Sequence, residues 1–113
     1  MPVSISNILR EYVKGIKNIF ASDYEKTILY GSYARGDNRL DSDIDIMILL
    51  DLSDMDIKQY RHELSGETFD FNMDHDLDIK PIAKSQQHFQ NWVDAYPFYA
   101  NVEKEGVKLF EAA

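Results

Sequence analysis

Apolar residues recur at i, i+3, i+4 and i+7 over positions 4–20, where Ile5, Ile8, Leu9, Tyr12, Val13, Ile16, Ile19 and Phe20 line one side of a helix. Ser4 stands where its cap would be. The pattern then changes period. Lys26 to Tyr30 and Asp43 to Leu50 are short runs bounded by polar residues, and they predict two strands. Ser53 with Asp56 has capping-box spacing, so a helix is predicted from about Asp54. Ile57, Tyr60, Leu64, Thr68 and Phe71 continue one helical face to about Met73, across Gly66. Phe69, Phe71 and Met73 also alternate, which suits a strand, and periodicity alone does not decide between the two. Leu77 to Ile82 predicts a third strand. Ser85 caps a predicted helix carrying Phe89, Trp92, Val93 and Tyr96. Pro97 opens another, with Phe98, Tyr99 and Val102 facing inward and Gly106 ending it. Val107 to Phe110 reads as a short strand or a tail. The aromatic residues of these last helices follow helical spacing and are expected in the core rather than as a base-stacking platform. The sum is an α/β (α+β) chain: a small mixed sheet of three to four strands with helices packed on one face.

At 113 residues the chain is expected to form a single domain, 1–113, large enough for one core. It has no cysteine, which excludes disulfide and thiol chemistry and fits the cytoplasm. The longest apolar run, Ile46 to Leu50, is too short to span a membrane, and no apolar leader is visible at the start. The net charge is -8, from 12 basic and 20 acidic residues. Such a surface repels phosphate backbones, so no long nucleic acid is expected as a partner. A small nucleotide arriving with a divalent cation stays compatible with it.

The candidate chemistry lies between the first two strands, in GSYARGDNRLDSDID from Gly31 to Asp45. Gly31-Ser32 is a tight turn where glycine permits positive φ and close approach of the backbone. Ser32 is the expected N-cap of a short helix through Ala34 and Arg35, whose free N–H groups suit an anion. Asp43 and Asp45 alternate with Ile44 and Ile46, so both carboxylates point to one face of the strand, roughly 7 Å apart along it. Like charges so placed repel unless a cation sits between them, and Mg²⁺ prefers such hard oxygens together with water and substrate phosphate.

At Gly31-Ser32, ten intervening residues, and Asp43-Ile44-Asp45, the chain resembles the minimal nucleotidyltransferases of the DNA polymerase β superfamily. Arg35-Gly36 and Ser42 resemble the flanks of that motif. The resemblance implies a polymerase-β-like fold and favours one long helix from about Asp54 to about Met73. It implies two Mg²⁺ ions, a nucleoside triphosphate substrate, ATP by analogy with the family, and transfer of a nucleoside monophosphate. Family members carry a third carboxylate on the neighbouring strand, which falls on Asp78, between Leu77 and Ile79; Asp76 competes for that role. Asp43, Asp45 and Asp78 are thus the implied metal ligands and catalytic residues, and Gly31, Ser32, Arg35 and Ser42 the implied nucleotide contacts. Similar small proteins act as antitoxins of HEPN-domain ribonucleases, which implies a protein acceptor or partner. The chain has no room after its third strand for an acceptor domain, so the acceptor is expected on another molecule. A non-catalytic antitoxin and a small-molecule nucleotidyltransferase are the alternatives, and the sequence leaves the oligomeric state open.

Competing readings are weaker. Asp41-Ser42-Asp43-Ile44-Asp45 begins like a calcium loop, but Ile46 and Leu52 occupy the positions that need Gly and Glu. His62, His75 and His88 are unclustered and have no cysteine partners for zinc. Ser32 lacks the Gly-x-Ser-x-Gly elbow of a serine hydrolase. Arg39 is read as neutralising nearby carboxylates, Lys80 as either an ion-pair partner or a substrate contact, and Tyr33 as packing.

Overall fold

A computed structural model describes residues 3–112, with side chains from residue 5 onward. Helix α1 (Val3–Phe20) is followed by β1 (Tyr24–Tyr30), α2 (Ser32–Arg35) and β2 (Ile44–Leu50). Then come α3 (Asp54–Ile57), α4 (Arg61–His75), β3 (Ile79–Ser85), α5 (Gln86–Trp92), α6 (Pro97–Glu105) and β4 (Val107–Glu111). The four strands form one mixed sheet in the order β3-β2-β1-β4. β2 pairs antiparallel with β1 and parallel with β3, and β4 pairs antiparallel with β1. The α+β class and the small mixed sheet stand as expected, and the segment 107–110 is a strand rather than a tail. The Ser4 cap falls on a side chain outside the described residues.

Alternation along β2 divides the interior. Ile44, Ile46, Ile48 and Leu50 face α1 and α4, where they meet Leu9, Tyr12, Ile16 and Phe20. Met47 and Leu49 face the other way and meet Phe89, Tyr99 and Val102 of α5 and α6. Helices therefore cover both faces, not one: the two long helices take one side, and the short C-terminal pair takes part of the other. The apolar positions on both sides of β2 required this, because each buried Ile or Leu contributes about 1.5–3 kcal/mol only when something covers it.

Several element boundaries differ from expectation; β1 starts at Tyr24 rather than Lys26, and β2 at Ile44 rather than Asp43. Ser53 accepts the Asp56 N–H at 3.1 Å and starts α3 as predicted. The helix is not continuous to residue 73, however: a 3₁₀ turn at Lys58–Tyr60 interrupts it, accompanied by packing of Tyr60 on Phe20 at 4.9 Å. The predicted face is kept, with Ile57 and Thr68 buried, while Phe69 and Met73 are exposed; the strand alternative for 69–73 is excluded. β3 begins at Ile79 rather than Leu77 because Asp76 takes a left-handed conformation (φ 53°) that ends α4 first. It extends to Ser85, whose N–H donates to Asp54 Oδ1 at 2.9 Å.

The C-terminal aromatic residues are only partly core. Ser85 caps α5 as expected, and Phe89, Tyr99 and Val102 are buried. Trp92, Tyr96 and Phe98 are not: each is more than 40% exposed, at 43%, 44% and 44%. α5 stops at Trp92, so Tyr96 leaves the helical face and stacks on the Trp92 ring at 5.3 Å instead.

One buried polar pair joins the long helices. The Tyr12 hydroxyl and Thr68 Oγ1 are 2.7 Å apart, and burial pushes the tyrosine pKa up to about 12. Removing one partner strands the other in an apolar setting, whereas removing both strands nothing. Tyr12→Phe and Thr68→Val should each cost about 1–2 kcal/mol in urea denaturation, and the double variant markedly less than their sum.

Candidate functional site

The site lies where the sheet outruns its helical cover on the Met47–Leu49 side. Asp45 continues that face and pairs with Tyr30 on one flank and Lys80 on the other. Asp43 precedes β2 by one residue, and Asp78 precedes β3 by one residue; the Ile44 N–H donates to the Asp78 carbonyl at 2.9 Å. With Ile44 opposite Ile79 and both buried, Asp43 and Asp78 fall on the same open side as Asp45. The structure thus brings Asp43, Asp45 and Asp78 together.

Two of them, Asp78 and Asp45, have raised proton affinity. Asp78 is raised above the ordinary carboxyl value first by a hydrogen bond shared with Asp43, then by burial and by the charge of Asp43, with Lys80 opposing. Asp45 is raised first by burial and then by Asp43, with Lys80 and Arg35 opposing. Lys80 Nζ lies 3.7 Å from Asp43 Oδ2, the ion-pair alternative of the two expected for it. Among the described residues no group of three or more His, Cys, Asp or Glu side chains is already arranged to hold a metal ion. The donor set nevertheless fits Mg²⁺, which takes one or two carboxylates and completes its shell with water and phosphate oxygens. Asp76, at the end of α4, borders a depression of about 180 Å³ together with Asp78 and Ser42, but the hydrogen bond to Asp43 is made by Asp78.

Gly31 shapes the turn beside these carboxylates. Its φ of 77° and ψ of −155° lie in a region open essentially to glycine alone. A Cβ there would collide with Asp45 Oδ2, so the absent side chain is what lets the turn sit against Asp45. The expectation that Ser32 caps α2 is corrected: Gly31 is the N-cap, no side chain caps the helix, and Ser32 is its first residue. The serine is displaced from the cap because the Gly31 carbonyl already accepts the N–H groups of Ala34 and Arg35, both at 3.1 Å.

The remaining predicted residues are placed as follows. Arg35 Nε donates to Asp37 Oδ2 at 3.1 Å and Nη1 to Glu105 Oε2 at 3.3 Å, which ties α2 to α6. Ser42 Oγ accepts the Arg39 N–H at 2.7 Å and closes its own loop. Arg39 makes no ion pair among the described residues, so its expected neutralising role is not seen; Tyr33 packs against the core as expected. Sequence reasoning missed Asn72. Its Oδ1 accepts the Ile79 N–H at 2.9 Å and its Nδ2 donates to the Ile79 carbonyl at 3.2 Å. This clip fixes the segment that carries Asp78, and an asparagine inside a helical run gives no signal of it. A wider cleft of about 480 Å³, lined by Asp51, Asp54, Asp56 and His88, lies at the opposite end of β2, away from these groups.

Known proteins are similar to this chain in sequence and in fold. The family described as Polymerase beta, Nucleotidyltransferase matches residues 14–112. Two proteins of Methanocaldococcus jannaschii, each named "Putative protein adenylyltransferase", are similar over most of their length. One is 33% identical over 90% of this chain and 94% of its own; the other is 28% identical over 95% and 100%. A crystal structure of a nucleotidyltransferase so named with the same qualifier, from Sulfolobus solfataricus, shares the fold with a TM-score of 0.67 at 19% identity, covering 96% of this chain and 82% of that one. A toxin–antitoxin crystal structure with AMP-PNP shares it at 0.58 and 16% identity, covering 91% and 73%.

The raised carboxyls make stability depend on pH. A carboxyl whose native pKa is raised binds more protons in the folded chain than in the unfolded one, so stability falls as pH rises from the unfolded value through the native one. Asp45→Asn should therefore raise the melting temperature of the metal-free protein at pH 7.5, and the gain should vanish as pH falls to the ordinary carboxyl value of 3.8. Scanning fluorimetry at both pH values checks this, and an unchanged or lower melting temperature at pH 7.5 contradicts it.

Proposed function

The chain belongs to the Polymerase beta, Nucleotidyltransferase family and is a nucleotidyltransferase; from that premise we propose that it moves AMP from ATP to a hydroxyl of a partner protein. The observation that carries the reading is the alignment of Asp43, Asp45 and Asp78 along one open sheet face beside a glycine-only turn. The similarity to two proteins named as protein adenylyltransferases favours a protein acceptor, and the toxin–antitoxin neighbours favour a toxin as that acceptor; that the toxin is of the HEPN type rests on the resemblance at Gly31-Ser32 and Asp43-Ile44-Asp45.

In this reading residues 1–113 act as one domain. Asp43, Asp45 and Asp78 would hold two Mg²⁺ ions, which would supply positive charge against the phosphate oxygens and a lowered pKa for the acceptor hydroxyl. The N–H groups of the Gly31-Ser32 turn and the Ser32 hydroxyl bind the outer phosphates. Arg35 exchanges an exposed carboxylate partner for a phosphate oxygen, which its two surface pairs permit because such pairs are weak. Ser42 acts by holding the loop that leads into Asp43. The acceptor oxygen attacks the α-phosphorus, the bond from that phosphorus to the β-phosphate oxygen breaks, and pyrophosphate leaves. The acceptor proton passes to Asp78, which lies beside Asp43 at the open end of the strands.

Mg²⁺ and ATP should bind together more tightly than either alone, since each supplies charge the other needs. Incubating the partner with Mg-ATP should add the mass of one adenylyl group. Asp43→Asn/Asp45→Asn should slow that transfer by about 100-fold or more while leaving the urea midpoint no lower. If wild type and variant silence a toxin equally and no adenylate appears, neutralisation is by contact alone.

A further inference from the structure

α6 brings an aromatic surface to the nucleotide end of the sheet. Tyr30 closes β1 and stands opposite Asp45 in the β1–β2 ladder. Its ring lies 5.6 Å from that of Phe98, at 80°, an edge-to-face contact. Phe98 is 44% exposed and takes no part in the core of this side, which Ile28, Met47, Leu49, Phe89, Tyr99 and Val102 complete without it. Phe98 also lies 6.1 Å from the Tyr99 ring, at 45°, and its exposure leaves part of its ring open to solvent. The far end of α6 is joined through Glu105 to Arg35 at the end of α2, the short helix that the Gly31-Ser32 turn opens. An isolated exposed phenylalanine needs no explanation. One set against the partner of Asp45, on a helix joined to the end of α2, has a specific use.

We infer that the Tyr30–Phe98 pair is the nucleobase subsite, stacking a purine ring while the Gly31-Ser32 turn holds the phosphates. The inference rests on the nucleotide reading of the site given above. Stacking on an aromatic face accepts any base and grows with ring area, so this subsite reads ring size rather than ring edges. ATP and GTP bind alike through it, and CTP and UTP bind more weakly. The exposed carboxylates cannot supply this preference, because they contact a part common to all four nucleotides.

The experiment separates the base from the phosphates. Calorimetry on wild type, Phe98→Ala and Phe98→Leu uses Mg-ATP, Mg-CTP and Mg-tripolyphosphate, the last having no base. Phe98→Ala should weaken Mg-ATP by about 5- to 100-fold, weaken Mg-CTP less, and leave Mg-tripolyphosphate unchanged. Phe98→Leu, which restores apolar bulk without the ring, should recover only part of the loss. Unchanged Mg-ATP affinity in Phe98→Ala overturns the subsite, as does an equal loss for Mg-ATP and Mg-tripolyphosphate. A wild type that binds Mg-tripolyphosphate as tightly as Mg-ATP overturns the subsite and leaves the phosphate site standing. A wild type that binds neither overturns the nucleotide reading itself.

Discussion

Ile44 stands opposite Ile79, and that parallel pairing holds together two segments whose charges would drive them apart. Each isoleucine is almost wholly buried beneath α1 and α4, and each such burial contributes about 1.5–3 kcal/mol. Two exposed carboxylates a few ångströms apart repel by about 1 kcal/mol in a water-like medium. The apolar side of the ladder therefore outweighs the acidic side, and the register cannot slip without exchanging the two faces. Asn72 adds a second restraint by satisfying both backbone groups of Ile79. The cluster of like charges is thus maintained by packing on the reverse of the same strands.

The two faces of the sheet are finished differently. Beneath α1 and α4 the apolar positions run the full length of β2, from Ile44 to Leu50. On the other face the cover of α5 and α6 reaches Met47 and ends, leaving Asp45 at its border. Burial at one end of a strand and solvent at the other give a rigid mount for charged groups, which an exposed loop would not. Gly31 completes the border: without a side chain it lies directly against the Asp45 carboxylate.

The strands and long helices were legible because their apolar positions follow a clean period, and the Gly31-Ser32 and Asp43-Ile44-Asp45 pattern singled out residues that the fold brings to one end of the sheet. What could not be read depends on tertiary contact. The break at Lys58–Tyr60 accompanies the packing of Tyr60 on Phe20, residues far apart in sequence. β3 starts late because a left-handed Asp76 ends the helix first, and aspartate does not announce that conformation. Trp92, Tyr96 and Phe98 have the spacing of core residues, yet the sheet below them is already filled by Phe89, Tyr99 and Val102. Ser32 was read correctly as part of the turn but wrongly as its cap, since glycine's backbone freedom took that position. The Arg35–Glu105 bridge joins segments with no shared pattern.

The position of β4 carries a consequence for how the molecule assembles. β1 and β2 are joined by a short link and can zip locally, but the outer edge of β1 is paired by Val107–Glu111, with Leu29 opposite Val107 and Thr27 opposite Phe110. Contacts between such distant segments form slowly, because the intervening chain must lose its freedom before the ladder gives anything back. Until then β1 presents unpaired N–H and C=O groups beside Ile28 and Leu29, a template for pairing with another chain. During synthesis the amino-terminal strands emerge first and must wait with that edge open. The vulnerable period of this protein's life is therefore the interval before its last strand arrives, and weakening β4 would raise aggregation during folding more than it lowered the stability of the finished fold.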